Sequence, residues 1–235
     1  MTTFPNHGKL DCRVCFNGNS STETYGEWGL LNNPGHWGSS NPEILILGFS
    51  KGLKQAKAFE NAPFDTVAFK DMRHRLKDAL VSIGAFPTDL SIDSIFTSDE
   101  KRFASSSMFR CTVSLNGKTS GNLIGSMFKD NPIAPAKTCT DKYLKHLPSN
   151  LKLILLLSTD DKYIEGCKDL IKNLHSETFS DVNSVSYKAG GVYWVHISHP
   201  STENGWYNKW VNDSSISTSG RKRALAEKTV RYALA

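Results

Sequence analysis

No stretch of this chain approaches the roughly 18 to 20 uncharged apolar residues that a membrane helix needs, and its start, MTTFPNHGKLDCRVC, lacks the apolar core of a signal peptide. The expectation is a soluble, cytoplasmic protein with no membrane partner. Cysteines are few and odd in number, five in 235 residues. In a reducing compartment that argues against a disulfide framework and leaves metal ligation or ordinary burial. There is no internal repeat and no linker, so the length fits one α/β domain with enough apolar residues, 39%, for one core. Nor is the charge strongly one-sided: 28 Lys and Arg face 23 Asp and Glu, a net +5. That modest excess suits a polyanionic partner without requiring one.

What is present is a strand–helix alternation. EILILGFSKG carries an apolar run, Ile44 to Leu47, that closes on Gly48, the pattern of a buried parallel strand before a Gly-flanked turn. A helix is expected from about Leu53 to Phe59, until Pro63 interrupts. KDMRHRLKDALVSIG spaces Met72, Leu76, Leu80 and Ile83 as a helix does and stops at Gly84. Residues 93 to 98 and 106 to 113 are weaker strand candidates, and 114 to 137 form a long insertion containing Gly, Asn and Pro. LKLILLLS, residues 151 to 158, is a second buried strand; the next segment sets Ile164, Cys167, Leu170, Ile171 and Leu174 on one helical face. GGVYWVHISHP is a third strand. A Ser/Thr/Asn-rich loop and a basic helical tail with Arg221, Lys222, Arg223, Lys228 and Arg231 close the chain; such a charge run is commonly a solvated helix face.

Residues 1 to 42 show no sustained period, so an irregular, wrapping segment in need of an anchor is expected there. The whole pattern predicts a single α/β domain, a three-layer α/β/α sandwich with a central, mainly parallel four-stranded sheet. Ligands of such sheets bind beyond the carboxyl ends of the strands, where GFSKG and HPSTENGW both fall.

Those two loops, a Gly-x-x-x-Gly turn after an apolar strand and His-Pro-Ser after a late one, resemble the two signature motifs of the uracil-DNA glycosylase superfamily. Pro63-Phe64 and the helix ending at Gly84 follow in the same order, and the resemblance runs from about Cys12 to Trp210. Cys12 and Cys15 make a C-x2-C near the start, Cys111 follows an Arg, and Cys139 opens the segment leading into LKLILLLS. This order is similar to that of the superfamily's iron–sulfur branch. The resemblance implies DNA as partner and a 4Fe-4S cluster on Cys12, Cys15, Cys111 and Cys139, although thiolates suit a four-cysteine zinc site equally. Such a metal would pin the N-terminal segment to the sheet. Cys167, on an apolar helix face, is expected to be core, and a monomer is the default.

The resemblance also distributes roles. His199 would stabilise charge on a departing base, Phe64 would stack on the flipped base, and Gly48, Phe49 and Ser107 would line its pocket. Lys51, Ser201, Thr202 and Asn204 would meet the DNA, Trp206 or Tyr207 would fill the wedge position, and Arg221 and Arg223 would add basic contacts. Two departures matter. Where the family carries a carboxylate just after the first Gly, this chain has Phe49 and Ser50, and a hydroxyl holds water but is no base at neutral pH. The family's base-reading Asn corresponds to Ser107, which cannot make the paired contacts of an amide. The insertion 114–137 contains no His, so the covalent trapping of one family branch is not expected. The expected activity is hydrolysis of an N-glycosidic bond to a damaged or modified base; the alternative is a non-catalytic module that binds flipped bases or nucleotides.

Overall fold

The computed structural model describes residues 3–119 and 134–235. Most of the 114–137 insertion therefore lies outside the described residues. The strands are β1 (Gly8–Lys9), β2 (Thr22–Tyr25), β3 (Trp28–Leu31), β4 (Gly35–Gly38), β5 (Ile44–Gly48), β6 (Phe103–Ser107), β7 (Thr112–Leu115), β8 (Leu153–Leu157), β9 (Ser180–Asn183), β10 (Ser186–Ala189) and β11 (Val192–Ile197). The α-helices are α1 (Leu53–Asn61), α2 (Arg73–Val81), α3 (Ala134–Leu144), α4 (Asp161–Leu174), α5 (Tyr207–Asn212) and α6 (Thr218–Leu234).

The main sheet is larger than expected. It has eight strands in the order β1-β4-β6-β5-β8-β11-β10-β9. The expected four-stranded parallel sheet is its centre, β6, β5, β8 and β11, all paired in parallel. Antiparallel pairs extend it on both edges, so the whole is mixed. β5 and β8, at its middle, are apolar along their whole length because both faces are covered. Ile44, Ile46, Leu153, Leu155, Val195 and Ile197 face one core with α2, α5 and α6, while Leu45, Leu47, Ile154, Leu156 and Trp194 face the other with α3 and α4. This alternation is the period-2 geometry of a strand serving two helical layers. Burying one such Leu or Ile contributes about 1.5–3 kcal/mol, so these two cores dominate the stability of the domain.

Two local expectations are corrected. Residues 1–42 are not irregular: four strands lie there, with β2 and β3 joining β7 in a second, three-stranded sheet. The anchor is backbone pairing of β4 with β6 and of β3 with β7, reinforced by His7, whose Nε2 meets Asp65 at 2.9 Å. The strand expected at 93–98 is a 3-10 helix, Ile92–Phe96, and the one expected at 106–113 is split between β6 and β7. Ser91 decides the first case, because its hydroxyl accepts from Asp93 N and starts a helical turn that buries Ile92, Ile95 and Phe96. Among the described residues no helix is long and apolar enough to cross a membrane.

Candidate functional site

The parallel strands β5, β6, β8 and β11 end on one edge, and a cleft of about 1820 Å³ opens there. Its lining includes Gly48, Phe49, Ser50, Ser107, Ser158 and His199. A single small-molecule pocket runs to roughly 300–1,000 Å³, so this is a groove with room for more than one base-sized group.

The turn after β5 is held by its neighbour strand. Met108 N donates to Gly48 O at 2.7 Å and Phe109 N to Phe49 O at 2.9 Å. A Cβ on Gly48 would come within 3.7 Å of the Ser107 hydroxyl, so Ser107 borders the turn as expected. Phe49, directly after Gly48, packs its ring against Phe109 at 5.1 Å and joins the α4-side core. Ser50 faces the cleft.

His199 is fixed by the loop that follows it. Ser201 N donates to its Nδ1 at 3.0 Å, which leaves Nε2 as the protonated, donating nitrogen. Burial, then the positive charge of Arg75, press its pKa down to about 4, so the ring is neutral at physiological pH. Asn204 organises the loop: its amide nitrogen donates to His199 O at 2.8 Å and Ser198 Oγ at 3.0 Å, and its oxygen accepts from Trp206 N at 3.1 Å. Its polar groups hold the loop, and the residue lines the cleft. Ser201, Thr202 and Trp206 line the cleft, Trp206 being 63% exposed with Lys209 over its ring at 4.6 Å. Tyr207 is core; its hydroxyl donates to Arg75 O at 2.5 Å.

Three expected roles are not matched by position. Phe64 is not among the lining residues, because its ring stacks on Trp37 at 4.5 Å with a 5° interplanar angle. Lys51 lines the cleft but turns its ammonium inward: it is 1% exposed, donates to Arg110 O, and lies over the Trp37 and Phe59 rings at 5.7 and 5.3 Å. Arg223 closes the C-terminus of α5, donating to Trp210 O, Val211 O and Asp213 O. Arg221 is exposed but outside the lining.

The sequence reading missed the opposite wall, Val67 to Met72, and Trp37. Phe69 and Asp71 both line the cleft with left-handed backbone, φ 52° and 63°. Such a conformation is unusual for a bulky aromatic and is enriched at functional sites. No residue pattern announces it; only the Phe-Lys-Asp placed just before α2 hints at a structured turn.

Cys12, Cys15, Cys111 and Cys139 come from three separate places: the N-terminal loop supplies two, the residue just before β7 one, and α3 one. Their charges act on one another. Burial raises Cys15 to about 11, with Cys139 and Cys12 adding to it, and burial raises Cys111 to about 12, with Cys139 and Cys12 again adding. Burial also raises Cys12, but Tyr143, the Val14 backbone and Lys142 outweigh it and leave the thiol lowered; Lys142 donates to Cys12 Sγ at 3.2 Å. The sulfurs do not converge fully: among the described residues no three or more His, Cys, Asp or Glu side chains are gathered at metal-holding distances. The donor chemistry nevertheless fits a thiolate-bound group, and cations surround it. Arg110 is fully buried beside these thiols, with Nη2 lacking any hydrogen-bond partner. Cys167 is buried in the core, as expected.

Comparison with models of known protein families gives no match, and comparison with curated proteins gives none either.

Proposed function

We propose that the protein is a DNA glycosylase-like enzyme that hydrolyses the N-glycosidic bond of a damaged or modified base held in the cleft beyond β5, β6, β8 and β11. The observation that carries this reading is His199: a neutral imidazole, locked with Nε2–H as donor, in the same cleft as the Gly48 turn and Ser50. A donor aimed where charge develops is the largest single lever in such chemistry. In the reaction, water oxygen bonds to C1′ of the sugar as the C1′–N bond breaks. The base leaves with the electron pair, and Nε2–H of His199 hydrogen-bonds the resulting anion. Ser50 positions the water, whose proton passes to solvent. The flipped base is read by Ser107 and the Gly48–Phe49 backbone, and Trp206 fills the vacated stack from the mouth of the cleft.

The four cysteines are assigned to a metal group, a 4Fe-4S cluster or alternatively zinc, that anchors the N-terminal loop and α3 to β7. It is structural in this reading and takes no part in bond cleavage. The test of activity is direct: oligonucleotides carrying uracil, hypoxanthine, xanthine or hydroxymethyluracil, incubated with the protein and then treated with alkali, break at the modified site. One specific observation favours the second reading, a binding module: Phe49 fills the carboxylate's place with a core ring. Measurable affinity for these oligonucleotides without any cleavage establishes that reading instead.

A further inference from the structure

Two basic side chains are buried in this protein without an anion to match, and burial pulls the pKa of the Lys51 ammonium down to about 7. Lys51 and Arg110 are each 1% exposed, and among the described residues neither forms an ion pair with a carboxylate. Natural proteins rarely bury Lys or Arg unpaired, because an uncompensated charge in a poorly polarisable interior is strongly destabilising. The neighbours of this pair are aromatic rings and sulfur. The Arg110 guanidinium sits over the Tyr143 ring at 4.5 Å, donates from Nη1 to His36 Nδ1 at 3.1 Å, and leaves Nη2 unpartnered. Lys51 donates to Arg110 O and pairs by a backbone bridge with Thr112, so it touches both flanks of Cys111. The ionisable groups that face the pair are Cys111 and Cys139 at Lys51, and Tyr143, Cys139 and Cys12 at Arg110.

We propose that Lys51 and Arg110 are the counter-ions of a negatively charged four-thiolate metal centre, and that Lys51 ties that centre to the cleft floor beside Ser50. A divalent ion or cluster held by four thiolates keeps net negative charge, which two buried cations at its edge balance. This rests on the metal reading above. Both are positioning residues: they touch no substrate and act through the Cys111 segment and the turn after Gly48.

The experiment uses the full chain, purified anaerobically or reconstituted with ferrous iron and sulfide, or with zinc alone. Lys51→Met and Arg110→Met remove each charge at similar volume, and Lys51→Arg and Arg110→Lys keep it. Metal release to a chelator is expected to quicken at least tenfold in the Met variants and to recover in the charge-keeping ones. A second measurement separates charge balance from simple packing. In the metal-loaded chain the Met variants lower the urea midpoint; in a chain with Ser at positions 12, 15, 111 and 139 they raise it, because there the cations have no counter-charge. Unchanged release, or a midpoint shift of the same sign in both backgrounds, overturns the proposal while leaving the metal reading intact. A wild-type chain that binds neither iron–sulfur nor zinc removes both.

Discussion

Acid should unfold this protein through its interior histidines. His36 and His196 are fully buried and His199 is largely so, and burial holds their pKa values down to about 3, about 3 and about 4, against 6.5 in the unfolded chain. Each is therefore neutral when folded and protonated when unfolded over the interval between those values. The unfolded state binds more protons there, so stability is full above about pH 6.5 and falls as the pH is lowered toward 4. At pH 5 each ring lies 1.5 pH units below its unfolded value, a loss of about 2 kcal/mol each and about 6 kcal/mol for three. With a urea slope of about 2–3 kcal/mol per molar for a chain this size, the midpoint should drop by about 2–3 M between pH 7 and pH 5. His196→Asn isolates one term. Nδ1 of His196 donates to Ser158 O at 3.2 Å and Nε2 has no hydrogen-bond partner, so the Asn amide can keep the bond that exists without a titrating ring. The variant should lose about one third of the pH dependence while its midpoint at pH 7 falls only modestly. A variant that retains the full wild-type shift refutes the account of why the ring is neutral.

The other expectations follow from the cleft. His199→Ala should lower base release about 10²–10³-fold in the alkali assay, and wild-type activity should show no inflection from this ring between pH 5.5 and 8, since its pKa is about 4. Asn204→Ala frees the His199 loop and should cost about 1–3 kcal/mol of stability or transition-state binding, read as a drop in single-turnover rate with Trp206 fluorescence altered. Trp206→Ala should weaken single-stranded DNA binding by about 1–3 kcal/mol by fluorescence anisotropy, with no change in thermal midpoint. Arg223→Ala should lower the thermal midpoint and leave the salt slope of DNA binding alone, whereas loss of any direct phosphate contact changes that slope by about 0.9.

The parts of the fold legible in the sequence were those where one residue pattern has one structural solution. Ile44–Leu47 and Leu153–Leu157 are uninterrupted apolar runs, which doubly covered strands accommodate, and α4 carries five buried residues on one face. The edges of the sheet were hidden because β1, β9 and β10 are short and pair antiparallel, and β1 and β9 are partly exposed, so no periodicity marks them. Of the site, Gly48, Ser50, Ser107 and His199 share the cleft because they end adjacent parallel strands, an order the chain alternation conveys. Phe64 does not line it, and Lys51 turns inward, because side-chain direction depends on which aromatic neighbours, Trp37 and Phe59, come from elsewhere. Left-handed Phe69 and Asp71 lay beyond reach for the same reason: their backbone is imposed by tertiary packing.

The last helix has a consequence for how the domain is assembled. Ala226, Val230 and Ala233 of α6 cover the face of β8 and β11, Lys222 ties its first turn to Thr159 O and Asp161, and Arg223 closes α5. One wall of the groove is thus fastened from the far end of the chain. A polypeptide in which α6 has not yet docked leaves that flank of the sheet bare, so chaperone capture and protease cutting should concentrate there, and the groove should be complete only once α6 packs down.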